Sequence, residues 1–216
     1  MTGYQEVNIT HDLKGDIILD YHKDITYIVD GEEEYHLQII FPINPKNETE
    51  KKYPCIIYMM STNEKNDDIY HKIPRLSQFA QRGFVVALIE RPLKACTYED
   101  KTNMLQNAVS YLTEKAACYH IEPQYMFIWR DATHEEDNLA ADIDQFVTTH
   151  KEFNTTVKAI VSFGGKEQMN MLYDKLTATI PPMLMIPCKE KETLNLEFWT
   201  EDVFDVIEDF ISNYIR

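Results

Sequence analysis

Tyr125-Met-Phe-Ile-Trp129 stands directly against Arg130-Asp-Ala-Thr-His-Glu-Glu-Asp137, so an unbroken apolar run meets a run that is polar at every position but Ala132. Five apolar residues with no polar partner between them suit a strand buried on both faces, as in a parallel sheet. The polar run after it predicts a helix start. Asp131 or Thr133 can cap the free N–H groups, and the clustered acids suit the positive end of the helix dipole. The helix is expected over Asp137 to His150, with Leu139, Ala140, Ile143, Phe146 and Val147 on its inner stripe.

The same strand-to-helix alternation extends on both sides. Tyr53 to Met60 and Phe84 to Ile89 are further apolar strands, and Ile69 to Arg82 between them has helical spacing, with Ile73, Leu76, Phe79 and Ala80 inward and Gly83 as its stop. Glu99 to Tyr119 reads as the next helix, carrying Met104, Leu105, Ala108, Leu112 and Ala116 on one stripe. Val157 to Phe163 and Met183 to Ile186 follow as strands, Leu194 to Trp199 as a last one, and Glu201 to Ile215 as a closing amphipathic helix. At the other end, Lys23 to Asp30 and Tyr35 to Phe41 alternate in polarity around Gly31-Glu-Glu-Glu34, which predicts an antiparallel hairpin at a sheet edge. The expected fold is therefore α/β: a mostly parallel sheet with an N-terminal antiparallel hairpin and helices on both faces, formed by residues 1–216 as one domain.

A formal charge of −15, from 36 acids and 21 bases, repels phosphate backbones and anionic headgroups, which argues against nucleic-acid and membrane-surface partners. No apolar run approaches the roughly 20 residues that span a bilayer. The polar opening Met1-Thr-Gly-Tyr-Gln-Glu6 lacks the order of a secretory signal, so a cytoplasmic location is expected. Cys55, Cys96, Cys118 and Cys188 show no short paired spacing of the kind that marks a zinc site or a redox dithiol. No cofactor is expected.

Asp30-Gly31 and Phe41-Pro42 of the hairpin, Ile56-Ile-Tyr-Met-Met-Ser61, Arg82-Gly-Phe-Val-Val-Ala-Leu-Ile89, and Ala108 to Trp129 with its Tyr119-His-Ile-Glu-Pro123 stand in one order along the chain. Together these stretches resemble the α/β-hydrolase superfamily, and most closely its small esterase/lipase, dienelactone-hydrolase-like branch. The resemblance runs from about residue 24 to 215 and implies an esterase-like scaffold. The catalytic motifs are degenerate. Where the family carries Gly-x-Ser-x-Gly, this chain has Arg130-Asp-Ala-Thr-His134, and an alanine methyl can neither attack a carbonyl nor share a proton with a base. The loop that supplies oxyanion-hole N–H groups, His-Gly-Gly in the family, reads Met60-Ser-Thr-Asn63. After Met183 to Ile186, where the family places its acid, stands Cys188-Lys-Glu-Lys-Glu192, with Glu190 or Glu192 as stand-ins. The matching base would lie after the last strand, yet the final histidine is His150. Losing the nucleophile or the base costs on the order of 10⁶ in turnover.

Glycine usage points the same way. None of the six glycines lies near position 132, whereas a nucleophile turn at positive φ needs small neighbours two residues before and after. Arg130 and His134 occupy those places, so Ala132 is expected in ordinary backbone conformation.

These residues lead to the expectation of a catalytically silent homologue that retains its scaffold for binding a small molecule or a protein, with no catalytic residues. Its binding residues, at the carboxyl ends of the strands, are expected to be Met60, Ser61, Arg91, Arg130, Asp131, His134 and Lys189, with Glu90 alongside. The alternative is an active carboxylic-ester hydrolase with relocated groups, His134 serving as base. Asp131, His134, Glu135, Glu136 and Asp137 also have a spacing at which Asp131 and His134 can face one ion, although a helix start attracts the same acids. Cys188, Ser61 and Ser162 lack a histidine partner that would activate them, and Gly164-Gly165 reads as a turn.

Overall fold

A computed structural model of the chain describes residues 17–43, 51–60, 68–90, 98–132, 156–164, 181–189, 192 and 197–215. Its seven-stranded sheet has the order β1-β2-β4-β3-β5-β6-β7. β1 (Ile18–Asp30) and β2 (Glu33–Ile43) form the hairpin at one edge, joined by Gly31-Glu32, and Gly31 alone of the pair takes positive φ, at 65°. That pattern is a type II′ turn, whose twist matches the strands it joins. β2 runs antiparallel to β4 (Val85–Ile89), and β3 (Tyr53–Met59), β5 (Ile121–Ala132), β6 (Val157–Gly164) and β7 (Met183–Pro187) are parallel to β4 and to each other.

Helices cover both faces. α1 (Ile69–Gln81) and α3 (Glu201–Ser212) pack on one, and α2 (Tyr98–Glu114) packs on the other. Alternation along β5 divides the core: Met126 and Ile128 join the α2 side with Leu105, Ala108 and Leu112, while Phe127 and Trp129 join the α1 side with Leu76, Phe79, Phe204 and Ile207. Trp129 fills the centre of that second core, with ring centroids 5.0 Å from Phe79 and 5.2 Å from Phe163. Arg82, at the end of α1, reaches α3, where its guanidinium donates to Asp205 at 2.7 Å, to Glu208 at 2.5 Å and to Glu201. Among the described residues, no helix is long and apolar enough to cross a membrane.

Several boundaries differ from the sequence expectation: β1 begins at Ile18 rather than Lys23, β2 extends two residues beyond Tyr35 to Phe41 at each end, and α3 ends at Ser212 rather than Ile215. α2 stops at Glu114 rather than Tyr119: the chain tightens through turns, Cys118 N–H bonding Lys115 C=O, and His120 at φ 56° reverses it into β5. β5 is longer than Tyr125 to Trp129 at both ends. It pairs first at Ile121 opposite Tyr53, then slips to Met126 opposite Cys55 past Pro123, which has no N–H for the ladder. Leu194 to Trp199 is not a strand over its described part: Glu197 and Phe198 form a turn, and Thr200 accepts from Val203 N–H as the N-cap of α3. The expected helix Asp137 to His150 lies outside the described residues.

Candidate functional site

Topology places the crevice. From β3 the chain crosses through α1 to β4 on one side, then returns through α2, on the opposite face, to β5 on the other side of β3. Where successive connections diverge in this way, the carboxyl ends of the two strands open into a ligand-accepting gap. Ile89, Met59 and Arg130 lie at one level across β4, β3 and β5. Glu90, Met60 and Asp131 are one step further along. Strand alternation turns this second row toward α1, with Leu88, Tyr58 and Trp129, and turns Arg130 toward the α2 face.

Asp131 does not open a helix. The ladder continues through it, with Asp131 opposite Phe163 and Ala132 opposite Gly164, so Arg130 to Ala132 is strand where a helix-opening junction was expected. The reason lies underneath. Lys72 of α1 extends inward and its ammonium meets Asp131 Oδ2 at 3.0 Å, both side chains being 0% exposed. The Tyr58 hydroxyl accepts from Lys72 Nζ at 2.8 Å and donates to Asp131 Oδ2 at 3.4 Å. A charge removed from water is tolerated only when paired and hydrogen-bonded, and this cluster holds the end of β5 to α1 and β3. Asp131 is thus a buried anchor beneath the crevice, not an exposed binding residue or a helix cap.

The backbone at Ala132 follows from that anchoring. Among the described non-glycine residues, positive φ occurs at Asp24 and His120, not at Ala132, which ends β5 as paired strand. Gly164 likewise ends β6 in the ladder, with Cys188 N–H donating to its carbonyl at 3.0 Å, and Gly165, the second residue of the expected turn, lies outside the described residues.

The remaining expected residues divide clearly. Met60 is half-buried against the α1-side core, Arg130 is half-buried at the strand end, and Lys189 is exposed where the chain leaves β7. Ser61, Arg91 and His134 lie outside the described residues, as do Glu135 to Asp137 of the acidic cluster. Glu192, a stand-in for the acid, turns back on its own loop and accepts from Lys189 N–H at 2.7 Å. The Cys188 thiol is pushed up to about 12, first by burial and then by the charges of Asp131 and Glu192, which is the opposite of an activated nucleophile. Ser162 is fully buried and its hydroxyl bonds Phe163 C=O at 3.3 Å.

Sequence reading missed Lys72 and Gln38. Lys72 shares the inner stripe of α1 with Leu76 and Phe79, and Gln38 lies between the buried Leu37 and Ile39. Lys72 was legible as a polar residue at an inward position, which demands a buried partner, whereas alternation set Gln38 on the polar face of the hairpin, opposite Leu37 and Ile39.

No protein-family model and no curated protein sequence matches the chain. Solved structures do. An α/β hydrolase enzyme, MGS-M1, from a Medee basin deep-sea metagenome library superposes with a TM-score of 0.64 at 13% identity, over 91% of this chain and 98% of that one. An arylesterase superposes at 0.61 with 8% identity, over 91% of this chain and 86% of the other. Esterase 2 of Thermogutta terrifontis, phosphorylated by paraoxon, gives 0.53 at 15% identity, over 79% and 69%. On these superpositions the chain, with its antiparallel edge, parallel strands and helices on both faces, has the α/β-hydrolase fold.

Proposed function

We propose that this protein is a hydrolase-fold binding protein without ester-hydrolase activity, which uses the crevice at the carboxyl ends of β3, β4 and β5 to hold a small molecule or a protein segment. The observation that carries this reading is the state of the strand end. The residue in the nucleophile position is Ala132, its backbone is extended, and the residue before it is locked to Lys72 in the core. A nucleophile turn needs a sharp, strained exit from the strand so that its side chain stands free at the top of the sheet. Here the ladder to Gly164 and the buried ion pair both favour a straight exit. Met60, Glu90, Arg130 and Lys189 remain around the crevice as groups able to touch a ligand, with Ser61, Arg91 and His134 as sequence neighbours of that rim.

The test pairs two assays. Short p-nitrophenyl esters and a fluorophosphonate probe are expected to give no turnover or labelling above buffer, while a ligand library produces compounds that raise the melting temperature. Ester turnover that disappears in His134→Ala would overturn the proposal in favour of a hydrolase with relocated groups.

A further inference from the structure

The two edges of the sheet are built differently. On β1 the register with β2 breaks twice, between His22 and Ile25 and between Thr26 and Ile28, Asp24 takes positive φ at 55°, and Lys23 stands beside it. Bulges and an edge lysine are devices by which an outer strand avoids adding a neighbour. β7 has neither. Its residues, Met183-Leu-Met-Ile-Pro187, carry no charge and pair with β6 in unbroken register, from Met183 opposite Ile160 to Pro187 opposite Gly164. Among the described residues no strand lies on its outer side.

The ladder shows which backbone groups that edge offers. Ile160 N–H donates to Pro182 C=O at 2.8 Å and Cys188 N–H donates to Gly164 C=O at 3.0 Å, so the even-numbered residues of β7 turn their backbone toward β6. Successive residues of a strand point their N–H and C=O to opposite sides. Met183, Met185 and Pro187 therefore turn theirs outward, and the proline falls at a position where β6 needs no N–H.

This outward row is complementary to itself. When two such strands run antiparallel with Met185 opposite Met185, those residues exchange both bonds, and each Met183 N–H reaches the C=O of the other copy's Pro187. The missing proline N–H costs none of these bonds. Side chains match as well: Leu184 and Ile186, both packed on the α1-side core, stand opposite each other across the two copies, and Met183 meets Pro187. Molecules that each carry a charge of −15 repel, and here they would meet at an uncharged segment. Pairing an edge with itself is a two-fold contact that closes at two copies.

We propose that β7 is a dimerisation edge, to which a second copy of this chain adds its own β7, antiparallel, about a two-fold axis at Met185. The occupant is a second copy because donors, acceptors and side chains of this edge satisfy one another in a single register. A contact built on five residues a side lies at the low end of interface sizes, so the dissociation constant is expected on the order of 10 µM. The inference stands apart from the crevice reading.

Sedimentation velocity from about 1 to 500 µM is expected to show monomer converting to dimer. Residue-resolved hydrogen exchange by mass spectrometry should find the Met183 and Met185 amides protected severalfold more at about 500 µM than at about 5 µM, while the Leu184 and Ile186 amides, which face β6, change little. Met185→Pro removes the outward N–H at the axis without touching a bond to β6, and Met185→Lys sets two ammonium groups face to face. Each is expected to weaken the dimer at least about tenfold, and Val29→Lys on β1 to leave it unchanged. Should the proline variant fail to fold, the lysine variant and the exchange pattern of the parent still decide. A monomer at every concentration, a dimer undiminished by both Met185 changes, or a dimer lost in Val29→Lys overturns the proposal. So does equal protection of the two outward amides in a monomeric protein, which would assign the edge to another segment of this chain.

Discussion

Replacing Lys72 by methionine would leave the Asp131 carboxylate in the core without its cation. Both side chains are 0% exposed and 3.0 Å apart, so removing one partner leaves a desolvated charge, a change that costs about 3–5 kcal/mol. The Tyr58 hydroxyl still donates to Asp131 at 3.4 Å, which places the expected loss near the lower end, about 3 kcal/mol. For a chain of this size about 2–4 °C of melting temperature goes with each kcal/mol, so Lys72→Met should lower it by roughly 6–12 °C. The double variant Lys72→Met/Asp131→Leu removes both charges together and is expected within about 1 kcal/mol of the parent, or above it. Urea unfolding followed by tryptophan fluorescence measures these two variants and the single Asp131→Leu, since Trp129 packs edge-on against Tyr58 at 5.7 Å and reports on the site. A single-variant loss below about 1 kcal/mol, or a double variant whose loss equals the sum of the singles, refutes a desolvated, coupled pair.

Further outcomes follow from the same structure. Ala132→Ser is expected to give no p-nitrophenyl acetate hydrolysis above buffer, because the position ends a straight strand and the chain offers no histidine beyond His150. Arg82→Ala should cost about 1.5–3 kcal/mol in urea unfolding through its half-buried contacts with Asp205 and Glu208, the exposed Glu201 adding little. With the Cys188 thiol at about 12, iodoacetamide at pH 8 and peptide mapping should find exposed Cys118 alkylated, and Cys188 and Cys55 unmodified until the protein unfolds. The same elevation makes the folded state hold the Cys188 proton more tightly than the unfolded chain does. Its contribution is therefore complete below an unfolded thiol value of about 8.5 and is lost as pH rises toward about 12, so the urea midpoint should fall across that alkaline window, and less so in Cys188→Ala.

Apolar periodicity carried most of the architecture. The strands at Tyr53, Phe84 and Val157, the inner stripes of α1 and α2, and the Gly31 hairpin follow from patterns of two and of 3.6, because burial of whole faces is what those patterns encode. Boundaries set by local backbone chemistry were harder to read. The left-handed His120 that ends the turns after α2, and the ladder slip at Pro123, leave almost no periodic trace. The site was half legible. Ala132 and the missing late histidine are properties of single positions and show in the sequence, whereas the pairing of Lys72 with Asp131, 59 residues apart, exists only once α1 lies on the sheet. Reading Asp131 as a helix cap was locally reasonable, and tertiary burial prevailed over that local preference.

The clasp between Arg82 and α3 bears on the order in which the molecule can be built. It joins residues more than a hundred positions apart, and Trp199, Phe204, Ile207 and Ile211 complete the layer of aromatic and aliphatic side chains around Phe79 and Trp129. Until those late residues emerge, a nascent chain holds an oily, unroofed sheet surface that is sticky toward its neighbours. Synthesis halted before Thr200 would therefore yield a chaperone client instead of a shortened but serviceable protein.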